Sequence, residues 1–157
     1  MSSRNAEPFE IWVSNFAISV EDYDRAQCAP KSHLPKLSAE EKAMARRLRI
    51  PEEQYARRLL AEDYGRDRQK DRGRRLGEGV QDIVTALAKS GRVVRVAFEK
   101  QKARWVVRVE SPGGPVDIAI PCELADDYLD YVFPGTSDQL KGRISEALGA
   151  VGALAER

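Results

Sequence analysis

The sequence predicts an α+β protein in which a three- or four-stranded antiparallel meander sheet is covered by helices and a charged helical arm projects from this core. Residues 92–120 contain three segments in which apolar and polar side chains alternate, separated by turn sequences. Residues 76–89 and 137–155 place apolar side chains at helical spacing. Residues 38–75 combine a helix-capping signal with dense charge. We therefore expect an N-terminal strand or arm with its linker (1–37), a charged helical arm (38–75) and an α-β-β-β-α-α core domain (76–157).

The composition suits one ordinary domain whose charge is unevenly distributed. At 157 residues and 42% hydrophobic content, the chain can bury a moderate core without disulfides or metals. Its formal net charge is only +1, so attraction to nucleic acid depends on where the charges lie. Residues 38–89 carry 13 basic and 10 acidic side chains, whereas the segments on either side are each slightly acidic. Any basic binding surface is therefore expected mainly in the arm.

The cysteines and the hydropathy predict a cytoplasmic protein without a cofactor. Cys28 and Cys122 lack the CxxC spacing of a zinc or redox site, and two cysteines cannot form a disulfide framework. Met1 is followed by polar residues, and no apolar run approaches the ~20 residues that a transmembrane helix needs. We expect reduced thiols, no export signal, no membrane partner and no bound metal.

The N-terminal part predicts one strand followed by a linker. Residues 9–20 are rich in aromatic and β-branched side chains, and Ile11 and Val13 are expected to be covered, with Trp12 a further candidate. This strand is either the edge strand of the main sheet or an arm that adds to a neighbouring subunit's sheet. Residues 28–37 contain two prolines and predict a linker, in which His33 is expected to be a solvated side chain.

Two short helices are predicted at the start of the arm. Ser38 and Glu41 form a capping-box pattern, so a helix is expected from Ala39 to about Arg49. Pro51 suits the first turn of a second helix. The apolar stripe expected on that helix consists of Tyr55, Leu59, Leu60 and Tyr64.

The segment Leu37–Tyr55 resembles a helix-turn-helix, with Ala45, Ile50 and Tyr55 at the packing positions. It departs from DNA-reading examples at Arg49, where the turn usually has glycine, and at Glu52 and Glu53, whose charges phosphate would repel. The same segment is similar to a short element near the ends of Mu-like phage head protease and scaffold proteins. That resemblance implies a part in a phage-type particle and no catalytic residue.

Residues 66–75 form the most basic stretch of the chain, with six basic and two acidic side chains. Glycines interrupt this region at Gly65, Gly73, Gly77 and Gly79, which predicts a frayed helix or a hinge over residues 65–79. The stretch is either a solvated connector or a surface that binds phosphate or an acidic protein.

The core domain is predicted from residue 76 onward. A helix with Leu76, Val80 and Ile83 on its buried face is followed by the three-stranded meander, with hairpin turns at residues 100–102 and 111–114. A short acidic helix over 123–132 follows, and Thr136 with Gln139 predicts a capped final helix. Its buried residues are expected to be Leu140, Ile144, Leu148 and Val151, and its small residues leave a flank on which a second copy could pack.

Two classes of chemistry remain open for the core. The carboxylates of Glu123, Asp126, Asp127 and Asp130 share one helical face. Such a face could hold Mg²⁺ in a small metal-dependent nuclease, but it is also the ordinary exposed face of an amphipathic helix. The order helix, meander, helix is similar to double-stranded RNA-binding domains, but those domains place lysines where this chain has Cys122 and Glu123.

We expect a non-enzymatic protein-binding or assembly subunit of a larger complex, such as a phage-type or nucleoprotein particle, acting through the helical arm and the N-terminal strand. Its partner would be another protein or a second copy of this chain. The alternative is a DNA- or RNA-binding protein that uses the basic stretch and the basic sheet face; the metal-dependent nuclease is the second alternative. The predicted partner- or nucleic-acid-binding residues are Arg66, Arg68, Lys70, Arg72, Arg74, Arg75, Arg95, Arg104 and Arg108.

Overall fold

The computed structural model describes residues 8–13, 16, 18–88, 90–130 and 135–155, with the backbone alone for 151–155. The strands are β1 (Glu10–Val13), β2 (Arg92–Glu99), β3 (Arg104–Ser111) and β4 (Gly114–Pro121). The helices are α1 (Val20–Cys28), α2 (Ala39–Leu48), α3 (Glu52–Leu87), α4 (Cys122–Asp130) and α5 (Thr136–Ala155). The protein is therefore α+β, as predicted.

The sheet is mixed and not purely antiparallel. Its strand order is β1-β2-β3-β4, and the last three strands form the predicted antiparallel meander. β1 pairs with β2 in the parallel direction and forms one edge of the sheet. The sequence pattern could not predict this direction, because alternation defines which side chains share a face but not how a distant strand is oriented.

The described residues divide into two compact units. Residues up to 15 and from 70 onward form one unit, which we call the sheet unit, and residues 16–69 form the other, the helical unit. The change from one unit to the other falls within α3, where the sequence predicted two separate helices and a hinge. Helical pairing continues from Glu52 to Leu87, so the prediction of a frayed helix over 65–79 is wrong, while its alternative, a hinge, stays a prediction.

The glycines of α3 are packing positions. A Cβ atom at Gly77 would lie 2.4 Å from Phe9 Cζ, and one at Gly73 would lie 2.9 Å from Trp105 Cζ3. Carbon atoms in contact are normally about 3.5–4.0 Å apart, so only glycine permits these approaches. The sequence correctly marks these positions as unusual, but the reason is close contact and not chain flexibility.

The core of the sheet unit lies between one face of the sheet and the helices. Trp105 and Val107 of β3 are fully buried there with Leu76 and Val80 of α3. α4 and α5 complete the layer, and Leu140 and Ile144 of α5 are buried as predicted. Leu148 is half-buried, while the predicted burial of Val151 lies outside the described side chains. The predicted acidic helix is confirmed over Cys122–Asp130, and residues 131 and 132 lie outside the described part.

The helical unit contains a helix that the sequence analysis missed. α1 begins with a capping box in which Ser19 Oγ accepts from the Asp22 backbone N–H at 3.1 Å and the Asp22 carboxylate accepts from the Ser19 N–H at 3.0 Å. The predicted strand over 9–20 is thus limited to β1 in the described residues, and Ser14, Asn15 and Ala17 lie outside them. The second capping box, Ser38 with Glu41, is present as predicted at the start of α2.

One arginine of α3 fixes the end of α1 within the helical unit. Arg57 Nη1 donates to the carbonyl oxygens of Ala26, Gln27 and Ala29 at 2.9, 3.1 and 2.8 Å. The last carbonyls of a helix lack partners within the helix, so a cation at this point satisfies them and favours the negative end of the helix dipole. None of the helices in the described part of the chain is long and apolar enough to cross a membrane.

Candidate functional site

The first two arginines of the predicted basic stretch lie in the helical unit and contact groups of the same unit. Arg66 Nη1 donates to Asp63 Oδ1 at 2.9 Å, and its guanidinium lies 5.3 Å from the centre of the Phe16 ring. Arg68 Nη2 donates to Asp22 Oδ2 at 3.0 Å. Burial by itself would raise the pKa of Asp22, but hydrogen bonds from Arg68 and Ser19 hold it below its usual value. Both arginines are thus engaged internally.

Arg72 lies in the sheet unit and joins α3 to α4. Its Nη2 is 2.6 Å from Asp126 Oδ1 and its Nη1 is 3.2 Å from Asp130 Oδ1, while its side chain is only 19% exposed. Burial opposes its charge, yet the two carboxylates outweigh burial and raise the pKa of Arg72. Two of the four carboxylates considered for Mg²⁺ therefore hold an arginine. Among the described residues, no group of three or more histidine, cysteine, aspartate or glutamate side chains has an arrangement that could bind a metal ion.

The remaining members of the stretch also belong to the sheet unit. Arg74 pairs with Asp71, and Arg75 Nη2 donates to the Leu129 carbonyl oxygen at 3.0 Å. Lys70 is exposed. α3 contacts the buried face of the sheet through Gly73, so residues 70–75 and the predicted sheet arginines lie on opposite sides of the sheet. Within the sheet unit, the structure therefore does not bring residues 70–75 and the predicted sheet arginines together into one surface.

The outer face of the sheet, which we define as the face opposite the buried core, collects the other predicted residues. Strand register places two rows of side chains across it. The apolar row is Trp12, Ala97, Val106 and Ala119. The adjacent charged row is Glu10, Arg95, Arg108 and Asp117. Arg104 lies opposite Glu99 on the other side of the apolar row.

Two of the three predicted sheet arginines are neutralised by carboxylates on neighbouring strands. Arg108 donates from Nε to Asp117 Oδ1 at 2.8 Å and from Nη2 to Oδ2 at 3.1 Å, and this bidentate contact lowers the pKa of Asp117. Arg104 Nε donates to Glu99 Oε2 at 2.6 Å and likewise lowers the pKa of Glu99. These pairs fix both guanidinium groups on the surface and leave the face with little excess charge.

Arg95 is different from its neighbours. Its guanidinium lies 4.7 Å from the centre of the Trp12 ring, which is a favourable cation–π contact. Its Nε is buried and has no hydrogen-bond acceptor among the described residues, and Arg95 makes no ion pair with their carboxylates. It stands directly opposite Arg108, a like-charge arrangement that disfavours the sheet unless another group compensates. Trp12 is 53% exposed, so this pair is open to solvent.

Two shallow depressions meet at Arg95 and Arg108. The smaller has a volume of about 150 Å³. Its lining is Arg95, Ala97, Glu99, Val106, Arg108 and Asp117, all of them sheet residues. The larger, of about 550 Å³, extends from the same arginines towards Pro8 and Arg92. The two depressions therefore share Arg95 and Arg108 in their linings.

The sequence analysis missed the aromatic member of this site. Trp12 was a candidate for burial, whereas the structure buries Phe9 and places Ile11 and Val13 against the core. The alternation of Glu10 and Trp12 with Ile11 and Val13 contains this information, because residues two apart share a face.

Comparison with known proteins gives no independent indication of function. No protein-family model matches the chain, and neither the curated proteins nor the solved structures contain a significant match.

Proposed function

We propose that this chain is a non-enzymatic protein-binding subunit of a larger complex, and that the outer sheet face and β1 form its principal binding surface. One observation supports this proposal above all. The arginines of the basic stretch are held by groups of the chain itself, whereas the outer face presents an exposed Trp12 beside Arg95, which pairs with no carboxylate of the described residues. Tryptophan and arginine are the residues most enriched at the energetic centres of protein interfaces.

The charge of the outer face suits a protein better than a polyanion. Its acidic and basic side chains are equal in number along the charged rows: Glu10, Glu99, Glu110 and Asp117 against Arg92, Arg95, Arg104 and Arg108. A nucleic acid would be repelled by four carboxylates as strongly as it is attracted by four cations. A protein can present both signs in complementary positions.

The apolar row gives such a partner a surface to cover. Trp12, Ala97, Val106 and Ala119 cross all four strands and are each exposed or half-buried. β1 is also the edge strand of the sheet, and one side of its backbone has no strand partner among the described residues, so a strand of the partner could add there. β1 has only four residues, so it would set the direction and register in which a partner strand pairs, and the side chains of the outer face would contribute most of the affinity.

The helical arm contributes a second surface in this proposal, through apolar rather than basic residues. Met44 and Leu48 of α2 are 39% and 48% exposed and lie one helical turn apart. They form a small apolar patch of the kind found at interfaces.

Site-specific photo-crosslinking in the native host tests the proposal. A photoreactive amino acid is placed at Ala119 on the outer face, and in a control at Glu146, which is exposed on α5. We expect a discrete adduct of higher mass from position 119, none of that mass from position 146, and loss of the adduct when Trp12→Ala is added. Equal adducts at the two positions, or no adduct at 119, would contradict the proposal.

Binding of single-stranded nucleic acid is the second candidate, and one observation favours it. An exposed Trp12 beside a cationic Arg95 on an open sheet can stack a base and contact its phosphate. This function predicts an affinity that falls with salt, by a log-log slope of roughly −0.7 for each phosphate contacted. The test is a titration of fluorescent oligonucleotides at several salt concentrations. Binding that is absent at low salt would remove this candidate.

A further inference from the structure

We infer that Arg95 is the receptor for a carboxylate, and that the outer face binds an acidic side chain of a protein partner in the smaller depression. This inference rests on the proposed function and specifies the chemistry of the partner. It is based on the surroundings of Arg95, on the size of the depression and on the ion pairs that the other charged residues of its lining make.

One nitrogen of Arg95, Nε, has no hydrogen-bond acceptor in the part of the chain that the structure describes. A buried N–H without a hydrogen-bond partner disfavours the folded state, and native structures rarely leave one. The Nε of Arg95 is such a group among the described residues. The Trp12 ring makes a cation–π contact with the flat face of the guanidinium, which does not replace a hydrogen bond to Nε. Glu10, the register partner of Arg95 on β1, instead accepts from Trp12 Nε1 at 3.2 Å. Nε itself is buried, so an external carboxylate would meet Arg95 from the depression that its side chain lines and would supply the guanidinium with a charge partner there.

The lining of the depression has one charge that is not neutralised. Its two carboxylates, Glu99 and Asp117, are each bound by an arginine at less than 3.0 Å. Arg108 is paired with Asp117, whereas Arg95 makes no ion pair among the described residues and acts on Asp117 only through its charge, which helps to lower the pKa of Asp117. An incoming carboxylate is therefore attracted to Arg95, while the ion pairs on either side restrict where it can lie.

The size and the floor of the depression select a single side chain. Its volume of about 150 Å³ is well below the roughly 300–1,000 Å³ of sites that enclose a drug-sized ligand. Ala97 and Val106 form an apolar floor beside Arg95, and they can cover the methylene groups of a glutamate or aspartate side chain. Trp12 lies in the same row and can cover the partner's adjacent residue.

A titration monitored by NMR tests the inference on the intact chain. The probe is a short acetylated and amidated peptide in which valine alternates with glutamate, and the control peptide has glutamine in place of glutamate. We expect the glutamate peptide to shift the Arg95 Nε–H signal and the Trp12 indole N–H signal in a saturable manner. The glutamine peptide should bind at least about tenfold more weakly, because a hydrogen bond to a charged group contributes roughly 1.5–3 kcal/mol.

Variants then assign the effect to Arg95. Arg95→Gln should weaken binding of the glutamate peptide about tenfold or more, and Arg95→Lys should recover part of it, since lysine keeps the charge but lacks the planar fork. Arg104→Gln, on the same face but next to a different carboxylate, is the matched control and should change binding less than about threefold. The backbone amide spectrum reports whether each variant remains folded.

The outcomes separate this inference from the proposed function. Equal binding of the two peptides, or unchanged binding by Arg95→Gln, would overturn the carboxylate receptor. If the crosslink at Ala119 nevertheless depends on Trp12, the outer face still binds a protein, but by other contacts. If the peptide binds as expected and no crosslink forms, Arg95 is a carboxylate site without the proposed role in assembly.

Discussion

Replacement of Gly77 by alanine tests the packing of α3 against the sheet. Alanine in the interior of an exposed helix is about 0.5–1 kcal/mol more favourable than glycine. At position 77, however, the new Cβ would lie 2.4 Å from Phe9 Cζ and 2.9 Å from Val96 Cγ2. Phe9 is 5% exposed and would have to move about 1 Å to restore a normal carbon contact. Such overpacking costs about 1–3 kcal/mol, so the net expectation is a loss of about 1 kcal/mol.

Gly142→Ala is the matched control for this experiment. Gly142 is also inside a helix, but no atom lies within 4 Å of a Cβ built there. We expect this variant to gain about 0.5–1 kcal/mol, so the two glycine substitutions should have opposite signs. Urea denaturation at equilibrium gives both free energies of unfolding, with the slope as a check on two-state behaviour. Stabilisation by Gly77→Ala would refute the close contact with Phe9 and favour a loosely packed or mobile segment.

Three further predictions concern the ion pairs and the tryptophans. Arg72→Met should lower the free energy of unfolding by about 1–3 kcal/mol, because two carboxylates of α4 lose their partner. Arg74→Met removes only an exposed pair within one helix and should change the free energy of unfolding by less than about 0.5 kcal/mol. Similar losses in the two variants would contradict the assigned role of Arg72. The pKa of Asp22 is lowered in the fold, so its stabilisation is complete above the usual value of 3.8 and is lost as the pH falls through the lowered value. At neutral pH, Arg68→Gln should be about 1 kcal/mol less stable than the natural protein. This difference in the free energy of unfolding, measured by urea titration, should shrink from pH 5 towards about pH 2. A difference that stays constant over this range would argue against the ion pair between Arg68 and Asp22. Trp12 is exposed, so Trp12→Ala should change the free energy of unfolding by less than about 1 kcal/mol. Trp105 is buried, so Trp105→Ala should lower it by about 3–5 kcal/mol. Comparable melting temperatures of the two variants would contradict the assigned faces of the sheet.

The sequence predicts the meander and the helix caps well because these depend on local chemistry. The alternation of Trp105, Val107 and Val109 specifies the buried face of β3 without any other part of the chain. Ser38 and Glu41 specify the start of α2 in the same way. The same rule, applied to Ser19 and Asp22, would have located α1.

The rest depends on contacts between residues far apart in the chain. The glycines of α3 indicate flexibility by local propensity, but the rings of Phe9 and Trp105 occupy the space that other side chains would fill. The arginines of residues 66–75 form a basic stretch in sequence, yet their partners include Asp22, Asp126 and Asp130, which no local pattern connects to them. The direction of β1, and with it the proximity of Trp12 to Arg95, is likewise a result of the tertiary fold.

Hydroxyl-radical footprinting in intact cells of the native host, compared with the purified protein, tests the central claim most directly. Trp12 is readily oxidised when exposed, and the buried Trp105 serves as an internal reference within the same unit. If the outer face is occupied by a protein partner, oxidation of Trp12 should be several-fold lower in cells than in the purified chain, while Trp105 is weakly oxidised in both. Equal oxidation of Trp12 in cells and in the purified protein would contradict the claim that this face is the binding surface.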